Sequence, residues 1–101
     1  MIEVYHNLDV MNFKTKLLMN EKIEDISAGL LIKVAHVETS SLEQAYCLTS
    51  NIEKSWVENN EVVSFINKAQ TRSTDMGDVF IREEIAYMVL ESGFKRVTII
   101  E

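Results

Sequence analysis

The sequence predicts an α+β fold, a small antiparallel or mixed sheet of about four strands with one or two helices packed on one face. Three observations point there. Strand-like apolar runs occur at Ile2 to His6, Leu30 to Glu38, Asp78 to Ile81 and Ile85 to Leu90. Apolar residues recur at helical spacing from Val10 to Asn20 and again from Leu42 onward. The chain has 101 residues, 47% hydrophobic and 26% charged, which suits one core in a single domain over 1–101.

Ile2 to His6 alternates apolar and polar, with Ile2 and Val4 on one side. Asp9 then stands where a helix N-cap is needed, and Val10, Phe13 and Leu17, with Leu18 as a further candidate, form the stripe of a helix over Val10 to Asn20. Glu21 to Gly29 is polar, anchored by Ile23 and Ile26. Leu30 to Glu38 carries apolar residues on both faces, as a central strand does. Ser41 followed by Gln44 reads as a capping box, opening a helix whose stripe is Leu42, Ala45, Tyr46, Thr49 and Ile52 and which ends near Asn51 or Glu53. Lys54 to Asp75 is irregular, and its run Val62 to Ala69 fits a short helix or a long loop. Two strands follow, Asp78 to Ile81 and Ile85 to Leu90, joined by Arg82-Glu83-Glu84 in place of the usual Asn-Gly or Asp-Gly. Gly93 bends the chain before a last strand, Val97 to Ile100.

Charge and cysteine content restrict the function classes. The net charge is −6, and the Lys and Arg residues are scattered apart from Lys95-Arg96, so direct nucleic-acid binding is not expected. Cys47 is the single cysteine, which forbids an intrachain disulfide and fits a reducing compartment. Its setting between Tyr46 and Leu48 reads as core-facing. No apolar run reaches the length of a membrane span, and the N-terminal residues lack the pattern of a signal peptide, so a cytoplasmic location is expected.

Residues that could carry chemistry are few. His6 and His36 lie far apart and read as strand residues at wet edges, and no metal-ligand spacing is present, so neither a metal nor any other cofactor is expected. No nucleophile elbow or phosphate loop occurs, so no catalytic residue is assigned. The most polar cluster is the loop Arg72-Ser73-Thr74-Asp75-Met76-Gly77-Asp78. It suits either a turn, with Gly77 in a backbone conformation costly for other residues, or a ligand or partner loop. Trp56, followed by Glu58 and Asn59, suits either an interface anchor or the lid of a core with its N–H bonded to a loop carbonyl.

Four segments together carry a resemblance. They are Val37-Glu38-Thr39, Leu42 to Ile52, Trp56-Val57-Glu58-Asn59, and Arg72-Ser73-Thr74-Asp75-Met76-Gly77-Asp78-Val79, with Gly93-Phe94 closing the series. In that order they resemble a group of small phage and mobile-element proteins of unestablished function. Those proteins share a helix ending Thr-x-Asn-Ile, a Trp-x-Glu-Asn segment and an Arg-Ser-x-x-x-Gly-Asp-Val hairpin entry. The chain departs at Arg82-Glu83-Glu84, where the group has Asp-Gly or similar, and at Asn60-Glu61, where a Pro often stands. The resemblance implies a phage setting and no particular reaction.

The function expected from these readings is a non-enzymatic, phage-type accessory protein in the host cytoplasm that binds a protein partner, such as a host or defence factor. Two other readings stand beside it: an acidic DNA-mimic inhibitor, and a small-ligand binder or enzyme using the loop 72–78 with His36. A homodimer is also expected, because the strand Leu30 to Val37 needs cover on both faces.

Overall fold

In the computed structural model, which describes residues 1–50, 55–65 and 72–101, the chain is α+β with seven strands and two α-helices among the described residues. The strands are β1 (Ile2–Asn7), β2 (Asp25–Ser27), β3 (Leu31–Val37), β4 (Val62–Ser64), β5 (Val79–Arg82), β6 (Ile85–Val89) and β7 (Phe94–Ile100). The helices are α1 (Val10–Leu18) and α2 (Leu42–Leu48), with single 3-10 turns at Ala28–Leu30 and Trp56–Glu58. The strands form one mixed sheet in the order β2-β7-β6-β5-β1-β3-β4, curled into a half-barrel. Only the β2–β7 pair is parallel in that order; the other pairs are antiparallel.

The sheet is larger than the sequence suggests because two of its strands have no local signal. β2 is three residues long and is held by the distant β7, where Ile26 stands beside Ile99. β4 occupies the start of the run that fits a helix. Its Val62, Val63 and Ser64 instead pair with Val37, His36 and Ala35 of β3. Val62 is buried and Val63 exposed, the alternation of a strand. The remainder of that run, 66–69, lies outside the described residues.

The two helices lie on opposite faces of the sheet, not on one. Successive residues of one strand enter different cores: Phe80, Val89 and Val4 join one cluster, and their neighbours Val79, Met88 and Tyr5 join the other. Ala45 of α2 lies in the first cluster, with Trp56, Ile2, Val37 and Val62. Phe13 of α1 lies in the second, with Ile26, Ala86 and Val97. β3 also departs from strict alternation. The register with β1 passes from Val4–Ala35 to Tyr5–Lys33, so Val34 is the extra residue of a bulge. Val34, Ala35 and Val37 can then all enter the same core.

The caps differ in detail from the sequence reading. Ser41 accepts the Gln44 amide at 3.2 Å, as a capping box requires. The return bond runs through Thr39, whose Oγ1 accepts from Ser41 N (3.1 Å) and donates to Gln44 Oε1 (2.8 Å). Asp9 makes no side-chain cap; its carboxylate accepts from Asn12 Nδ2, and its own amide donates to Asn7 Oδ1. α2 reaches Leu48 and is closed by Thr49, and the expected end near Asn51 or Glu53 lies outside the described residues, as does Ile52 of the stripe. The helix is turned so that Ala45 and Thr49 are buried while Tyr46 and Cys47 are exposed, which corrects the core-facing reading of Cys47.

Candidate functional site

Gly77 lets the loop before β5 fold back over β1. Its φ of 102° suits glycine, and a Cβ there would stand 3.0 Å from Phe13 Cβ. The turn closes through Asp78 N to Asp75 O (3.0 Å), while Val89 accepts from Gly77 N and donates to Asp78 O. This placement carries the Asp78 side chain, which has no solvent exposure, under the end of β1.

Asp78 there accepts four hydrogen bonds. Arg72 reaches it with both Nη1 and Nη2, each at 2.7 Å, and Asn7 N and Asp75 N approach at 2.8 Å. Each carboxylate oxygen therefore holds two donors, which fills the acceptor capacity of the group. Arg72 also donates to Ser73 O at 3.0 Å and to Asn7 O at 3.4 Å. Its bonds to Asp78 hold the guanidinium above its ordinary pKa, against the partial burial that opposes them.

His6 joins the same cluster from β1. Its ring is buried, edge-on to Trp56 at 6.1 Å between centroids, with Nε2 3.3 Å from Thr74 Oγ1 and 4.0 Å from Asp78 Oδ2. Thr74 Oγ1 donates to Thr49 Oγ1 at 2.8 Å, and Thr49 Oγ1 donates to Ala45 O at 2.8 Å. With both hydroxyl protons placed in this way, Nε2 of His6 is the donor to Thr74. Burial pushes the His6 pKa down from 6.5 to about 4; the Asp78 charge opposes that shift and Arg72 adds to it. Trp56 completes the group, buried, with Nε1 donating to Arg72 O at 2.7 Å.

No family model, curated protein or solved structure matches this chain. What the arrangement can do is therefore judged on its own geometry. Of the residues singled out in sequence, Trp56, Arg72, Thr74 and Asp78 meet in one buried cluster. The core-lid alternative describes Trp56, and the turn alternative describes Gly77. Asn59 caps the end of α2 by donating to Leu48 O at 2.7 Å, and Asp75 holds Lys14 at 3.1 Å and Met76 N at 2.7 Å. Glu58 lies exposed on the 3-10 turn, and Ser73, half-buried, offers its carbonyl to Arg72.

His36 does not approach the loop 72–78. It stands opposite Glu3 in the β1–β3 register, whereas His6 stands opposite Ile32. Glu3 and His6 are three residues apart on one strand, so the two histidines are separated by roughly 10 Å along it and point to opposite faces. Three members of the cluster escape the sequence reading: His6, Asn7 and, as a polar partner, Thr49. For His6 a signal exists, since its even position shares a face with the core residues Ile2 and Val4. Asn7 has none, because its role depends on Asp78 and Gly77, 71 and 70 residues away.

Beyond this cluster lies an open patch on β3 and β4. Val63 and Phe65 are each 52% exposed. The Phe65 ring meets His36 edge-on at 5.0 Å, and Lys33 Nζ lies 5.6 Å from its centroid and 3.5 Å from Glu3 Oε1. His36 Nε2 is a buried nitrogen without a hydrogen bond, 4.0 Å from Glu3 Oε1. Among the described residues, no three His, Cys, Asp or Glu side chains are grouped to hold a metal ion, and no helix is long and apolar enough to cross a membrane.

Proposed function

We propose that this protein is a non-catalytic binding module, a phage-type accessory protein that docks on another protein in the host cytoplasm through the β3–β4 patch. The observation that carries the reading is the pair Val63 and Phe65, exposed two residues apart at the end of β4, bordered by the polar side chains of Lys33, His36 and Glu3. An exposed aromatic beside an aliphatic, bordered by polar groups, is the composition of an interface anchor. Support also comes from the loop 72–78, where Asp78 and Thr74 are spent on internal bonds.

The test is affinity capture from host lysate with the wild type and with Phe65→Ser/Val63→Ser, both checked for folding by circular dichroism. The expected result is a partner retained by the wild type and lost by the folded variant. A partner held equally by both, or none held by the wild type, would refute the reading.

A further inference from the structure

On the sheet face that α2 covers, the core stops short of the β5–β6 turn. Phe80, Val89 and Phe94 belong to that core. Nearer the turn the same face carries Arg82 and Tyr87, half-buried, and Arg96, exposed. Tyr87 stands opposite Arg96 in the β6–β7 register. Arg82 reaches across from β5, its guanidinium carbon 5.1 Å from the Tyr87 ring centroid. One tyrosine is thus flanked by two of the chain's three arginines. We infer that Arg82, Tyr87 and Arg96 form a binding site for an aryl phosphate, the phosphate held between the two guanidiniums and the ring lying on Tyr87 and Ile85.

The two cations have no counter-charge within the protein. The chain holds 16 carboxylates against 10 Lys and Arg. Among the described residues none of those carboxylates stands within ion-pairing distance of Arg82 or Arg96, whereas Lys14, Lys33 and Arg72 each have one. Even Glu83 and Glu84, the nearest to Arg82 in sequence, make no ion pair with it from the exposed turn. Arg82 is also preorganised. Its Nη1 donates to Ser40 O at 2.9 Å, which together with the Tyr87 ring fixes the guanidinium plane. The remaining N–H donors of Arg82, and the Tyr87 hydroxyl, have no protein acceptor among the described residues. Strands about 4.8 Å apart place three such neighbours within reach of one bound group. Guanidiniums pair their N–H donors with phosphate oxygens and stack on aromatic planes. A phosphate ester carries about two negative charges above pH 7, so it matches two guanidiniums where a carboxylate matches one. The site lies on the opposite sheet face from Val63 and does not rest on the docking proposed there.

Titration with phenyl phosphate at about pH 7.5, where the ester is a dianion, tests the site through arginine Nε–Hε and backbone amide resonances. Saturating shifts should appear at Arg82, Tyr87 and Arg96, with a Kd on the order of 1 mM. Arg96→Gln breaks no hydrogen bond or ion pair among the described residues, so the fold should persist while binding weakens about tenfold. Arg82→Lys keeps the charge and loses the planar fork, and should weaken binding by a similar factor. Lys95→Gln, on the other sheet face, should leave it unchanged. Benzenesulfonate, similar in shape with one charge, should bind about tenfold more weakly. A short phosphotyrosyl peptide that binds more tightly than phenyl phosphate assigns the ester to a partner's side chain, and equal affinity assigns a free ester; either upholds the site. No saturable shift up to about 20 mM, an affinity indifferent to Arg96→Gln, or equal binding of benzenesulfonate would overturn the proposal.

Discussion

Replacing Asp78 by Ala tests the account of the buried cluster most severely. The substitution removes a fully buried carboxylate and leaves Asn7 N–H, Asp75 N–H and the Arg72 guanidinium without their acceptor. A buried donor stripped of its partner costs about 1–3 kcal/mol, so the two amides alone imply ~2–6 kcal/mol. The guanidinium adds less, because the Arg72 side chain is 37% exposed and water can replace part of what it loses. The sum, about 3–7 kcal/mol, is a large share of the ~5–15 kcal/mol that holds an ordinary domain together. With a urea m-value of about 1–3 kcal/mol/M, the midpoint should fall by roughly 2 M. Emission from Trp56, the chain's one tryptophan and wholly buried, should report the transition. Arg72→Met should cost less, about 2–4 kcal/mol after the same discount for exposure, while the double variant Arg72→Met/Asp78→Leu should be less destabilised than the sum of the single changes. An Asp78→Ala protein within about 1 kcal/mol of the wild type would refute the view that four donors converge on that carboxylate.

His6 makes stability depend on acidity in a defined direction. Its folded pKa of about 4 lies below the unfolded 6.5, so between those values the unfolded chain binds more protons and stability falls as the pH is lowered. From pH 7 to pH 5 the loss should be about 2 kcal/mol, growing to about 3 kcal/mol and levelling off below pH 4. His6→Gln should flatten that window in urea titrations, and an unchanged slope would exclude His6 as the source. The β5–β6 turn offers the opposite test. Glu83 and Glu84 have φ of 51° and 69°, which a two-residue hairpin of the I′ type demands and which L side chains resist. Glu83→Asn with Glu84→Gly should stabilise by about 1–2 kcal/mol and raise the melting temperature by roughly 4–16 °C. A lower melting temperature would show that the turn adopts another form.

Legibility followed the range of the interactions. β3, the Ser41 cap and the β5–β6 pair could be read because their signals lie within a few residues: apolar runs, a Ser with a Gln three places on, two strands separated by a short connection. β2 could not, since Asp25, Ile26 and Ser27 have no period of their own and are fixed by β7. β4 misled because Val62, Phe65 and Ile66 happen to match helical spacing; pairing with β3 overrides that propensity at Val62 and Val63. β7 begins at Phe94, earlier than the expected Val97, because Phe94 and Lys95 are held by Val89 and Met88 across the sheet. The candidate cluster was half legible. Trp56, Arg72, Thr74 and Asp78 stood out as residue types, but their saturation depends on β1 and α2, which no spacing in the loop reveals.

The strand order has a mechanical corollary. β2 leaves the N-terminal part of the chain and fastens to β7 at the far rim, while β1 stays beside β5 at the other side of the β5–β7 meander, with β3 beyond it. The meander is therefore clasped along both of its borders by earlier residues, and no line drawn between strands divides the sheet into two uninterrupted stretches of polypeptide. Peeling the meander away means unzipping two borders at once. Amide exchange should accordingly report one shared opening energy for the protected cores of β1, β5, β6 and β7, not a graded release from either rim.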